Sequence, residues 1–183
     1  MQIPLFQQHY WQFKNIQYQA LDLIDQCEQN KEWYSRVSTS RNTNGKEYNW
    51  KPFLNMISPL FKQLPIKGTG KFIFDTPWMN VYEKGSYQEV HSHAQMAELS
   101  YVYFHTLSNH KDNGKFMFFN NDYYNWVRNI TWDYDQLGLY QWIELNVEQG
   151  DLIIFPSWFL HQVSEHKSDD TRITISGNVQ VWM

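Results

Sequence analysis

Residues 150–182 read GDLIIFPSWFLHQVSEHKSDDTRITISGNVQVW. They contain three runs rich in β-branched and aromatic residues, at 151–155, 159–164 and 171–182. Such residues fit a pleated, half-buried surface, and the Gly, Pro, Ser and Asp residues between the runs favour turns. This segment therefore predicts three short strands at the C-terminal end of the chain.

The same pattern extends upstream as far as residue 71. Further short β-like runs are found at 71–75, 78–84, 87–93, 99–106, 115–119 and 141–146. Many short strands with Gly, Asn and Asp between them predict a sandwich or a barrel. An aromatic segment at 120–140 interrupts the series, and it could either cover the core or form an interaction surface.

The N-terminal part has apolar residues at helical spacing instead. Residues 15–29 predict one helix, with Asn15 as its cap and Cys27 near its end. Residues 52–64 predict a second helix that begins near Pro52, although Pro59 lies inside it. We therefore expect helices to precede a mainly β core.

Length and composition predict a single globular domain. The chain has 183 residues, of which 42% are hydrophobic and 18% aromatic, which suits one domain with a substantial core. We expect a helical layer over residues 1–70 packed on a β core over residues 71–183. Neither a repeat nor a linker divides the chain, and nothing in the sequence indicates an oligomeric state.

Charge and cysteine content exclude several classes of protein. The formal net charge is −4 and no dense Lys/Arg stripe occurs, so no nucleic-acid partner is expected. Cys27 is the single cysteine, which excludes a disulfide framework or a cysteine metal cluster. No apolar run is long enough for a membrane span, and the first residues lack the pattern of a signal peptide. We therefore expect a soluble, cytoplasmic protein.

Three histidines are candidate metal ligands. His91 and His93 lie two residues apart at the end of a predicted strand, so their side chains project to the same face. His161 follows a turn at Pro156 and is the third candidate. Imidazole binds Fe, Zn, Cu and Ni, so these residues alone leave the metal open. The remaining histidines are expected to be surface or core residues.

The order of these motifs resembles that of the 2-oxoglutarate/Fe(II) oxygenases, in particular a group of small proteins related to prolyl-hydroxylase-like enzymes. The resembling pieces are Trp78-x-Asn80, Gly85, HSH at 91–93, LSYVYF at 99–104, GDLIIFPSWFLHQV at 150–163 and RITISGN at 172–178. The resemblance implies a double-stranded β-helix of the jelly-roll type. It also implies Fe(II) and 2-oxoglutarate as cofactor and cosubstrate.

Carried over, the resemblance assigns His91 and His161 to the first and last positions of the iron site. His93 stands where that family usually has a carboxylate, which is a departure from its pattern. Glu98 and then Glu89 are the carboxylates that could replace it as the third ligand. We rank His93 before both glutamates.

The resemblance also assigns a role to Arg172, which would pair with the distal carboxylate of 2-oxoglutarate. A guanidinium matches a carboxylate fork and stays charged when buried. Thr174 lies two residues on and faces the same way, and Asn80 and Tyr82 on an earlier strand are expected to complete the pocket. The alternative for Arg172 is a surface ion pair with Asp169 or Asp170.

Three functions remain open from the sequence. The first is a dioxygenase, by default a hydroxylase of a peptide or small molecule, with substrate walls at 107–114 and 120–140. The second is a cupin-type dioxygenase that uses no 2-oxoglutarate and binds metal through His91, His93, Glu98 and His161. The third is a non-catalytic binding or structural protein that has lost its metal. Arg172 and Thr174 favour the first, since a simple cupin gives them no role.

Overall fold

The architecture is that of two antiparallel β-sheets with one helix. This computed structural model describes residues 9–18, 27–29, 36–41, 48–67, 70–107, 113–120, 123 and 140–182. The helix is α1 (Lys51–Phe61). The strands are β1 (Trp11–Phe13), β2 (Glu28–Gln29), β3 (Ser38–Thr39), β4 (Lys71–Phe74), β5 (Trp78–Tyr82), β6 (Gln88–His91), β7 (Leu99–Thr106), β8 (Phe116–Phe119), β9 (Trp142–Glu144), β10 (Leu152–Pro156), β11 (His161–Val163) and β12 (Arg172–Trp182).

The larger sheet is built around the C-terminal strand. Its order within the described residues is β1-β10-β7-β12-β5-β3-β2, and β4 also pairs with β12. Strand β12 is eleven residues long and pairs with β5, β7 and β4. Its first eight residues are buried, because strands lie on both sides of them. The segment at 172–182 is thus the centre of the fold.

The smaller sheet carries two of the candidate ligands. Its order is β6-β11-β8-β9, and the pairing of β11 with β6 places His161 directly opposite His91. An apolar cluster with residues from both sheets, including Val102, Phe116 and Phe155, fills the space between them. The mainly β architecture predicted from the sequence is therefore confirmed.

Helix α1 covers the outer face of the larger sheet. Phe53, Ile57 and Phe61 are fully buried against that face, at the spacing expected for one side of a helix. Pro52 lies in its first turn, where no donor is needed, and Pro59 is followed by only two helical residues. The predicted helix over 52–64 is confirmed with slightly different bounds. Helix α1 has eleven residues, and none of the helices among the described residues is long and apolar enough to cross a bilayer.

The predicted helix over 15–29 is wrong at both of its ends. Asn15 has a left-handed φ of 59°, and the Ile16 amide donates to the Gly150 carbonyl at 2.7 Å. The stretch from Asn15 to Tyr18 is therefore held by tertiary contacts rather than by helical hydrogen bonds. Residues 19–26 lie outside the described part of the chain.

The N-terminal part also contributes strands that the sequence did not predict. Glu28–Gln29 pairs with Ser38–Thr39, which in turn pairs with β5. Trp11–Phe13 pairs with β10 at the other edge of the same sheet. Strands of two or three residues carry too little periodicity to be recognised from sequence.

Gly177 is required by the packing of Tyr101, and its replacement by alanine tests the central sheet. The two residues are opposite each other in the β12–β7 pairing, and a Cβ at position 177 would lie 2.2 Å from the Tyr101 hydroxyl oxygen. Tyr101 is fully buried and has little room to move. We expect Gly177→Ala to lower the free energy of unfolding by about 1–3 kcal/mol, the usual cost of overpacking.

Urea denaturation of the two proteins measures this effect, with Gly70→Ala as the matched control. At position 70 a Cβ would meet its nearest atoms at 3.6 Å, which is ordinary contact. Equal stabilities for Gly177→Ala and the wild type would show that the sheet accommodates the methyl group.

Candidate metal centre

The three candidate histidines meet at the mouth of the space between the sheets. The ring centroids of His91 and His161 are 4.2 Å apart, and His93 lies 5.2 and 5.3 Å from them. One ring nitrogen from each residue lies within 4.8 Å of the others. Three imidazole nitrogens at this separation can bind one divalent transition-metal ion.

His93 reaches the group from the turn that follows β6. Its amide donates to the Ser157 carbonyl at 2.8 Å, and the Ser157 amide donates to the Glu98 carbonyl at 3.0 Å. Ser157 is itself fully buried beside Ser100, with the two hydroxyl oxygens 3.0 Å apart. The turn that carries His93 is thus tied to the end of β10.

Backbone carbonyls orient two of the imidazoles. The Nδ1 of His91 lies 2.7 Å from the Glu89 carbonyl oxygen, and that of His161 lies 2.8 Å from the Phe159 carbonyl oxygen. Since a carbonyl only accepts, each Nδ1 is the protonated nitrogen and each Nε2 keeps its lone pair. Such hydrogen bonds are the usual way in which proteins fix the tautomer of a metal-binding histidine.

Burial keeps the three imidazoles neutral. It lowers the pKa of His93 to about 3, and it lowers the pKa values of His91 and His161 even though the hydrogen bonds to the Glu89 and Phe159 carbonyls act in the opposite direction. His93 and His161 are 6% and 4% exposed. Neutral imidazoles offer lone pairs at neutral pH, which is the state that a metal ion requires.

Neither candidate carboxylate joins the histidines. Glu98 Oε2 accepts a hydrogen bond from the Val181 amide at 2.8 Å, which directs it towards β12. Glu89 interacts electrostatically with His91, but its side chain is not within ligand distance of the group. Among the described residues, the only cluster of potential metal ligands is the three histidines. The arrangement that a cupin site would need, with Glu98 on the metal, is therefore not formed.

The predicted cosubstrate residues line one cavity with the histidines. Arg172 pairs with Tyr82, and Thr174 pairs with Asn80, across the β12–β5 ladder. All four residues face a cavity that His91, His93 and His161 also line. The alternation of side chains along two neighbouring strands thus produces a polar floor.

Arg172 is a buried cation that lacks full hydrogen bonding. It is 1% exposed, and its Nε and Nη1 atoms have no hydrogen-bond partner. Its guanidinium carbon lies 4.5 Å from the centroid of the Tyr82 ring. The alternative of a surface ion pair is wrong, because Arg172 points inward and Asp169 pairs with Lys84 at 2.7 Å.

Several residues of the site were missed by sequence reasoning. The Tyr82 hydroxyl donates to Gln88, and Asn80 donates to Ser176 at 3.3 Å. Ser100 donates to Asn178 at 3.0 Å beside the His93 turn. The signal was the polar alternation of β12, which continues from Arg172 and Thr174 to Ser176 and Asn178.

The predicted substrate walls lie mainly outside the described residues. The described residues do not include 108–112 of the first loop, nor 121–122 and 124–139 of the aromatic segment. The interpretation of these rings as a core cover or as an interaction surface therefore stays a prediction.

Comparisons with known proteins agree with this geometry. A family model described as "Putative 2OG-Fe(II) oxygenase" matches residues 76–178. No match was found among curated proteins. The matched region begins just before β5 and ends within β12, and it includes every candidate site residue.

Solved structures share the fold at low sequence identity. The HygX structure from Streptomyces hygroscopicus with nickel and 2-oxoglutarate bound has a TM-score of 0.66 and 7% identity, over 94% of this chain and 83% of that one. A Pseudomonas putida prolyl-4-hydroxylase has a TM-score of 0.61 and 13% identity, over 94% and 92%. The viral collagen prolyl hydroxylase of Paramecium Bursaria Chlorella virus-1 has a TM-score of 0.57 and 12% identity, over 93% and 94%. The predicted double-stranded β-helix is confirmed.

Proposed function

The chain belongs to the 2OG-Fe(II) oxygenase family, and from this premise we propose that it is a hydroxylase that holds Fe(II) on His91, His93 and His161. The proposal assigns the distal carboxylate of 2-oxoglutarate to Arg172. Membership of this family favours the oxygenase over the cupin and non-catalytic alternatives. The substrate we propose is a peptide or a small molecule, as for the prolyl hydroxylases and for HygX, which has been solved with hygromycin B bound.

The observation that carries the proposal is the buried guanidinium of Arg172, two of whose nitrogens lack a hydrogen-bond partner, in the same cavity as three neutral imidazoles. A buried charge without partners is costly, so a protein retains one where a ligand supplies the opposite charge. A carboxylate that pairs with one edge of the guanidinium would provide an acceptor for N–H groups of Arg172 that have none. The donor set thus fits a cosubstrate with a carboxylate at one end and a metal-chelating group at the other.

The metal fit rests on the chemistry of the ligands. Three neutral imidazoles, of which those of His91 and His161 keep a free Nε2 lone pair, suit Fe(II), and they leave positions open on the metal for other ligands. Since His93 replaces the usual carboxylate, the protein contributes no negative charge to the site through these ligands. We therefore expect a more cationic metal centre than in relatives with a carboxylate ligand.

When bound, Fe(II) and 2-oxoglutarate supply the oxidative chemistry, in which 2-oxoglutarate is converted to succinate and CO₂. Arg172 would hold one end of the cosubstrate so that its other end faces the histidines, with Thr174 as an additional hydrogen-bond donor. Phe116 and Phe155 pack on the His161 ring at 5.4 and 5.1 Å, which limits the access of water to that side of the site. The protein thus binds, orients and shields the reacting groups.

Turnover of 2-oxoglutarate tests this function without knowledge of the substrate. We expect succinate formation when the protein is mixed with Fe(II), 2-oxoglutarate and O₂, because the metal and the cosubstrate carry the oxidative chemistry. Mass spectrometry measures the labelled succinate that forms from ¹³C-labelled 2-oxoglutarate. Omission of O₂ and replacement of Fe(II) by Zn(II) are the controls. Succinate at equal rates in all three samples would contradict the proposal.

A further inference from the structure

Arg41 lies at the rim of the metal cavity rather than on a remote surface. Its guanidinium carbon is 4.7 Å from the centroid of the Trp78 ring, and that ring lies 6.0 Å from the His93 ring. Trp78 is one of the residues that line the cavity. A single aromatic side chain therefore separates Arg41 from a candidate metal ligand.

Two contacts hold the exposed side chain of Arg41 in this position. One face rests on Trp78, and Nη2 lies 3.4 Å from the Met96 sulfur. Met96 belongs to the turn after His93, where its amide donates to the His93 carbonyl at 2.8 Å.

Arg41 has no acidic partner among the residues that the structure describes. Its side-chain contacts are Trp78 and the Met96 sulfur, neither of which carries a charge. By contrast, Lys84 pairs with Asp169 at 2.7 Å and Lys115 pairs with Glu144 at 3.2 Å. A guanidinium that is held in place and keeps its N–H groups available is prepared to bind an anion.

We propose that Arg41 binds a carboxylate of the substrate and thereby decides which part of the substrate faces the metal. The inference rests on the proposed function and names a substrate class for it: a molecule with a carboxylate, presented at the rim of the cavity. A planar guanidinium matches a carboxylate in a bidentate pair. The single positive charge of Arg41 matches the single negative charge of a carboxylate, whereas a phosphate dianion would need a second positive charge.

Two arginines would then receive two different anions. Trp78 and Tyr82 stand at opposite ends of β5, four residues apart, which corresponds to about 13 Å along a strand. Arg41 contacts the first of them and Arg172 contacts the second. The buried arginine would take the cosubstrate, and the exposed one would take the substrate without competing for the same position.

Matched pairs of small probes test this assignment. The probes are N-acetyl amino acids, which carry a carboxylate, and the corresponding N-acetyl amino-acid amides, which are neutral. Each is added anaerobically to protein loaded with Fe(II) and 2-oxoglutarate, and its dissociation constant is taken from its effect on the visible charge-transfer band. The quantity of interest is the ratio of amide to carboxylate dissociation constants, in which general effects on the metal site cancel.

For the wild type we expect at least one side chain for which the carboxylate binds at least tenfold more tightly than the amide. Arg41→Gln should bring this ratio close to one, and Arg41→Lys should give an intermediate value, since lysine keeps the charge but not the planar fork. Lys62→Gln removes the same charge from an exposed position after α1 and should keep the wild-type ratio. Added NaCl should lower the ratio in the wild type, because the pair is exposed to solvent.

Three results would overturn the inference: no carboxylate binds, the wild-type ratio is near one, or Arg41→Gln keeps the ratio. Failure of the proposed function gives a different result, since the charge-transfer band would then be absent from the wild type before any probe is added.

Discussion

Replacement of His161 by alanine is expected to weaken metal binding by more than about a hundredfold. Loss of an outer-shell partner alone typically costs 10–100-fold in metal affinity, and His161 is proposed as a direct ligand. It lies opposite His91 in the β6–β11 pairing, and its Nδ1 is oriented by the Phe159 carbonyl. Anaerobic calorimetry with Fe(II), or with Ni(II) as a redox-stable substitute, measures the affinity.

Two further variants make the result specific. Since His161 is buried against Phe116, alanine leaves a cavity, so His161→Gln retains most of the volume and should lose the metal as well. Glu98→Gln should retain metal, because Glu98 is hydrogen-bonded to the Val181 amide rather than placed on the site. Retained binding in folded His161→Ala, or lost binding in Glu98→Gln, would contradict the proposed ligand set.

Replacement of Arg172 by methionine is expected to affect stability and cosubstrate binding in opposite directions. The buried guanidinium, with two nitrogens that lack a hydrogen-bond partner, costs free energy in the absence of a ligand, so the ligand-free variant should be at least as stable as the wild type. The binding free energy of 2-oxoglutarate should become less favourable by about 2–5 kcal/mol, the usual cost of removing one partner from a buried charge pair. Thermal unfolding and anaerobic titration measure the two effects.

The ligand 2-oxobutyrate provides the matched control for Arg172. It keeps the metal-chelating end of 2-oxoglutarate but lacks the distal carboxylate, so its affinity should hardly change in Arg172→Met. Lys84→Met, which removes an exposed cation, should leave both affinities as in the wild type. An equal loss of both ligands in Arg172→Met would show that the arginine supports the cavity in general and does not bind the carboxylate.

The sequence predicted those parts of the fold in which periodicity and burial agree. Strand β7 was predicted with the bounds that the structure has, and the bounds of the other eight predicted strands differ by at most two residues. Strands β5, β7, β10 and most of β12 are buried, so their apolar pattern follows directly from packing. The helix predicted in the N-terminal part was wrong because tertiary contacts determine the structure there. The Tyr103 hydroxyl, for example, donates to the Ile16 carbonyl at 2.9 Å, which no local pattern reveals.

The candidate site was predicted where strand alternation projects side chains together. Arg172 and Thr174 lie two residues apart on β12, so their common face followed from spacing. His93 lies beyond the end of β6, and it meets His91 because its turn is tied to the Ser157 carbonyl rather than through strand alternation. Arg41 was missed because it reaches the site through a long-range contact with Trp78. The orientation of the imidazoles by the Glu89 and Phe159 carbonyls also depends on three-dimensional geometry.

The central claim is that one site binds Fe(II) through three histidines and 2-oxoglutarate through that iron and Arg172. Anaerobic titration of the Fe(II)-loaded protein with 2-oxoglutarate tests it most directly, through the weak visible metal-to-ligand charge-transfer band of the chelate. We predict a band that saturates with 2-oxoglutarate in the wild type, is absent from His161→Ala and requires much higher concentrations in Arg172→Met. Iron that binds without producing a band, or a wild-type protein that binds no iron, would contradict the claim.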